Sequence, residues 1–132
     1  MTEDLVAYLK ADATLTGLIG SGDNCRLYPD VATKDPTAPF VVYRIQSDQG
    51  RTKSNVVQER MYGFSVFAET LLAAETIGRR LEVLLDKDES IDITSDNYFI
   101  KSSWLVSGSS MYEQETAVYH RAVLFTVLFL KK

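Results

Sequence analysis

Hydrophobic positions along this chain recur with two periods, and the clearest run is the last. Ala117 to Leu130, AVYHRAVLFTVLFL, alternates as a long strand: Val118, Ala122, Leu124 and Leu128 point one way, and Tyr119, Val123, Phe125, Val127 and Phe129 the other. At about 3.3 Å per residue it would reach on the order of 45 Å, well past a common strand of five or six residues. Both of its faces are apolar at the far end, so both need cover, and a small domain has few elements to supply it. The pattern therefore predicts either a partner subunit that shares the task of burial or a core strand sandwiched between helices and a second layer.

Phe40 to Ile45 concentrates β-branched and aromatic residues and predicts a strand. Val56 to Ala68 alternates, with Tyr62, Phe64, Val66 and Ala68 on one face, and predicts another. Between them QSDQGRTKSN holds no apolar side chain, so the two strands form a long hairpin with Arg51 and Lys53 at its tip. Leu71, Ala74, Ile77, Leu81, Leu84 and Leu85 recur at three and four spacing and predict the main helix, about 70–85, capped by Thr70. Gly78 beside that stripe lets the helix approach the strands, and Glu75 can pair with Arg79 on the exposed side.

Shorter elements fill the rest. A short N-terminal helix opens at Thr2 as cap, with Glu3 and Asp4 in its first turn, and Asp12 caps a second turn that ends at the Gly20–Asn24 cluster. Arg26 to Tyr28 and Ile91 to Ile93 read as brief strands. A further strand runs from Tyr98 to Val106 with Tyr98, Ile100, Trp104 and Val106 on one face, after which Gly108 and its serines turn the chain. The order indicates one α+β domain over 1–132: a two-layer sandwich, mainly antiparallel, with the main helix packed on the sheet.

Composition narrows what such a domain does. Net charge is −4, which argues against a module whose task is to grip nucleic acid through phosphates. The single Cys25 forms no internal disulfide, and a buried small residue is its simplest reading. MTEDLVAYLK carries acids where a signal peptide carries basic residues, and no apolar run is long enough for a bilayer helix, so the chain is expected in the cytoplasm where it is made.

Chemistry is sparse. The one histidine, His120, lies within the terminal strand, which removes a multi-histidine metal site or a triad and leaves a structural or interface histidine. Asp86, Asp88, Ser90 and Asp92 alternate like calcium ligands, but Ile91 stands where an EF-hand needs glycine and Asn97 where it needs glutamate. GLIGSGDN lacks the Lys-Ser/Thr of a phosphate loop. No catalytic residue, cofactor or metal is expected.

DATLTGLIG, then RLYPDVA, a proline-containing gap, PFVVYRI, a hairpin into FSVFAET, LLAAETIGRRL and YHRAVLFTVLF follow one another in an order and spacing that spans nearly the whole chain. In this it resembles the tail-completion or tail-terminator (head-tail joining) proteins of long-tailed bacteriophages; the acidic DKDES and the long polar hairpin tip depart from a clean match. The resemblance implies a non-enzymatic structural subunit at the head-proximal end of the virion tail, made in the bacterial host cytoplasm. It would form a hexameric ring, or stay monomeric until a tube end templates the ring. It implies as partners the tail-tube protein and the head connector or neck protein, with DNA only in passage through the ring and no membrane. Arg51 and Lys53 are the expected docking residues, and Tyr119, Phe125 and Phe129 the expected lateral contacts. A head-side neck protein, a small-ligand module using the sheet near Trp104 and Tyr98, and a hydrolase hidden among Ser and Asp groups are the alternatives.

Overall fold

The computed structural model describes residues 2–30, 37–50, 57–86, 93–94, 98–114 and 117–131. Three helices, α1 (Thr2–Lys10), α2 (Ala13–Ile19) and α3 (Leu71–Leu85), lie on one face of a six-stranded sheet. The strands are β1 (Leu27–Pro29), β2 (Phe40–Gly50), β3 (Val57–Ala68), β4 (Ile93–Thr94), β5 (Tyr98–Glu113) and β6 (Val118–Lys131), in spatial order β1-β2-β3-β6-β5-β4. Among the described residues only the β1–β2 pairing is parallel. This is the two-layer α+β sandwich that the mixed periodicity predicts.

Local signals explain most element boundaries. Asp12 caps α2, its carboxylate accepting from the Leu15 N–H at 2.8 Å, and Thr70 caps α3, its hydroxyl accepting from the Ala73 N–H at 3.1 Å. Gly20 ends α2 at φ 94°, where a side chain would run into the Asn24 carbonyl. Asp12 also takes a two-pronged contact from Arg80 of α3 (2.6 and 2.9 Å), which ties the two helices and holds its carboxyl below the usual carboxylate range. Thr2 departs from expectation. It is the first residue of α1, and its hydroxyl meets the Tyr62 hydroxyl at 2.8 Å and accepts from Arg60 at 3.2 Å, which fastens the helix to β3.

The core fills the layer between helices and sheet. Leu5, Leu9, Leu15 and Ile19 come down from α1 and α2, and Ile77, Leu81, Leu84 and Leu85 from α3. They meet Tyr62, Phe64 and Val66 of β3 and Val123, Phe125, Val127 and Phe129 of β6. Cys25 is buried and unpaired at its edge. The period-2 rule thus sorts β6 correctly, with its odd-numbered residues from Val123 to Phe129 inward.

β5 corrects two expectations. It continues through Gly108 to Glu113, pairing with β6 all the way to Val118, so SGSS is strand and the chain reverses only after Glu113. The ladder also slips at Ile100/Ser102 and again at Leu105/Ser107, and each extra residue exchanges the faces. Ile100 is therefore buried in the core, Trp104 pairs with Thr126 on the opposite face, and Val106 sits exposed at the second slip. Of the brief strand expected at Ile91 to Ile93, Ile93 is paired, and 91–92 lie outside the described residues.

Candidate assembly surfaces

The described helices pack on one face of the sheet, and the other, on which Val42 and Thr126 are nevertheless buried, carries a hollow. Gln46 of β2 and Ser107 and Ser109 of β5, two intervening strands apart, line one hollow of about 250 Å³. Its floor is small: Gly63, Ser65 and Ala122, with Gln46 folded so closely over Gly63 that a Cβ there would lie 2.7 Å from its amide nitrogen. At one end of the face a ladder of rings crosses the strands. Phe40 stacks on Phe67 at 4.9 Å, Phe67 stacks on His120 at 4.6 Å, and Tyr28 leans on Phe40 at 6.3 Å. Aromatic cross-strand pairs of this kind stabilise sheet register.

His120 is anchored by that stacking rather than by hydrogen bonds. Both ring nitrogens are buried without a partner, and the nearest carboxylate oxygen, on Glu113, is 3.8 Å from Nδ1. Burial pushes the imidazole below its ordinary value, with Glu113 opposing. The unfolded chain therefore binds a proton more readily than the folded one. Stability from this group is complete above about 6.5, the ordinary imidazole value, and drains away as pH falls below it. Melting temperatures taken across that range should decline in acid, and His120→Phe, which keeps the stack and cannot titrate, should remove that part of the decline.

Two hairpin arms close at opposite ends of the sheet and stay within it: β2 and β3 run together to Gly50 and Val57, level with Phe129 and Leu130 of β6, and β5 and β6 run together to Glu113 and Val118, one position past Ala68 of β3. Arg121 braces the second arm. Its stem passes Gly78 of α3, where a Cβ would lie 2.8 Å from Cγ, and its guanidinium passes Gly108, where a Cβ would lie 2.7 Å from Nη2. The guanidinium then donates to Ser110 Oγ and to Glu82 Oε1, both at 3.2 Å. Gly78 does admit a close approach, as its place beside the stripe predicts, and what it admits is this arginine. Gly108 serves the same purpose from β5. The structure pairs Glu82 with Arg121, and Glu75 and Arg79 line the same polar cleft without an ion pair to each other.

The residues singled out from sequence fall in three places. Arg51 and Lys53 lie outside the described residues. Phe125 and Phe129 are 0% and 1% exposed, enclosed by their own protomer: Phe125 meets Phe64 edge-on at 5.9 Å, and Phe129 sits between Tyr98 and the Arg60 guanidinium, the latter 5.5 Å from its ring. They are core, and the expectation that they make lateral contacts is corrected, because α1, α2 and α3 cover this side of β6. Tyr119 is half-buried on the helix side of the β5–β6 arm, with its ring 4.9 Å from that of Tyr112.

The residues that sequence reasoning passed over lie on the outer strands. Ile45 (47% exposed), Val106 (46%), Met111 (52%) and Tyr112 (49%) are four of the seven large apolar side chains exposed among the described residues. The readable signal was the absence of any charge from Ser102 to Tyr112, unusual for a strand at the side of a sheet. Among the described residues no group of three or more His, Cys, Asp or Glu is placed to hold a metal ion. No described helix is long and apolar enough to cross a membrane.

The exposed apolar side chains and the hollow offer surfaces for a partner. The family model for tail completion protein gp17 matches residues 3–130. The chain belongs to that family. As a tail completion protein it is a structural component of a virion. A solved chain from the virion of a native gene transfer agent particle superposes with a TM-score of 0.70 at 14% identity, covering 97% of this chain and 92% of that one. A second solved chain gives a TM-score of 0.60 at 8% identity over 100% of this chain and 96% of its own. At such identities the likeness is one of fold. Comparison with curated proteins finds no match.

Proposed function

We propose that copies of this tail completion protein close into a ring on the head-proximal end of the tail tube, stop its growth and present the surface that meets the head. The observation that carries the reading is that β2–β3 and β5–β6 close at opposite ends of one sheet, so that a single subunit presents a strand connection to a neighbour above and another to a neighbour below. Arg51 and Lys53, in the connection between β2 and β3, supply cationic groups for docking on a tube or connector subunit. A net charge of −4 suits a conduit through which DNA passes without being held by its phosphates.

Purified protein added to growing tail tubes should fix their length and place added density at one end in electron micrographs. Tubes that go on lengthening with bare ends would refute the reading. Density on the head portal with tubes left bare would move the protein to the neck.

A further inference from the structure

The two sides of the sheet are closed only in part. Among the described residues β1 pairs with β2 at Val41 to Tyr43 alone, and β4 with β5 at Phe99 and Ile100 alone. Among the described residues no strand lies against β2 from Arg44 onward or against β5 from Ser102 onward. At Leu105 the Asp86 carboxylate accepts from the backbone N–H at 3.1 Å, which satisfies that one position. Beyond it Ser107 to Tyr112 forms an open edge.

Proteins that remain single protect such edges with charge, proline or brevity, because a row of unpaired N–H and C=O groups recruits another strand. This edge has neither charge nor proline, and the bulge at Leu105/Ser107 lies before the open stretch. The exposed apolar side chains Val106, Met111 and Tyr112 lie along it, and Ile45 lies on the other open edge. A strand laid there would gain hydrogen bonds and apolar contact together.

We infer that β5 of one copy pairs, antiparallel, with β2 of the next, so that the ring is held by a sheet continuous from subunit to subunit. The inference rests on the ring reading above. Three features name a second copy as the occupant. The chain presents both halves of the joint, one on each side of the same sheet, which is a heterologous contact of the kind that closes rings. The long strands alternate in direction across β2, β3, β6 and β5, so β5 of one copy meets β2 of the next in the antiparallel sense that every other long pairing here already has. The register fits as well. Ser107 to Tyr112 lies level with Leu124 to Tyr119 of β6, whereas Ile45 to Gly50 lies level with Phe125 to Phe129, so bringing the two edges together requires a slide of about five residues. Tilted strands in a closed sheet supply a stagger of roughly one residue per strand, about four for the four long strands.

Backbone hydrogen exchange on free protein and on capped tails tests this. In capped tails, amides across 44–48 and 107–112 should exchange at least tenfold more slowly than in the free protein. Ser107→Lys with Ser109→Lys, two exposed positions, should leave the melting temperature of the free protein within a few degrees and abolish capping. Protein present on tube ends with both edges exchanging at the free rate would overturn the strand pairing and leave the proposed function standing. Protein absent from tube ends would overturn the proposed function, and the pairing with it. Capping retained by the doubly substituted protein would also overturn the pairing.

Discussion

Phe125→Ala is expected to remove about 3–5 kcal/mol of unfolding free energy, the usual cost of emptying a buried aromatic site. The ring is wholly enclosed, packed edge-on against Phe64 beneath α3, and both flanking strands are fixed by long ladders, so the cavity has little means to collapse. Urea unfolding of the free protein measures the loss directly. Tyr119→Ala serves as the contrast. Its ring is half-buried against Tyr112 on the arm, and its removal should cost about 1 kcal/mol or less. A near-normal unfolding midpoint for Phe125→Ala together with failed assembly would return Phe125 to the interface and contradict its place in the core.

Gly78→Val should destabilise by about 1–3 kcal/mol even though valine is the better helix former, because the new side chain collides with the stem of Arg121. The decisive measurement is a double-mutant cycle with Arg121→Ala. Once the stem is gone, the three atoms nearest to the new Cβ are gone with it, and the cost should shrink as helix propensity takes over. Equal costs in both backgrounds would mean that α3 itself, and not the arginine, demands glycine at this position.

Much of the fold was legible because single residues carry local physics. Thr70 and Asp12 announce helix starts, the three and four spacing from Leu71 to Leu85 announces the face of α3, and FVVYRI and the alternation of β6 announce strands. The failures also have causes. Gly108 among serines reads as a turn, yet its smallness serves Arg121 in a strand that continues. Bulges at Lys101 and Val106 exchange the faces of β5, and no local composition signals them.

The candidate surfaces were harder to read. Alternation in β6 separates two sets of side chains, but it cannot say which set the helices will cover. Phe125 and Phe129 are therefore expected at a lateral contact, whereas the helix layer already encloses them. The exposed apolar residues that remain, Ile45, Val106, Met111 and Tyr112, are scattered in sequence and gather only when the order β1-β2-β3-β6-β5-β4 puts their strands near the sides of the sheet. An interface built from backbone edges leaves little trace in side-chain pattern beyond missing charge.

The four long strands reverse direction at each step and are even in number, so repeating the unit never sets two of them running the same way. In a ring joined edge to edge as inferred above, copy number would thus be free of any parity rule, and circumference would be a matter of bending alone. Three kinks would shape that bend, at Ile45/Ser47, Ile100/Ser102 and Leu105/Ser107, and the first and last fall level with Phe125 on their respective flanks. A relative with one kink deleted would build a wider collar from the same staves.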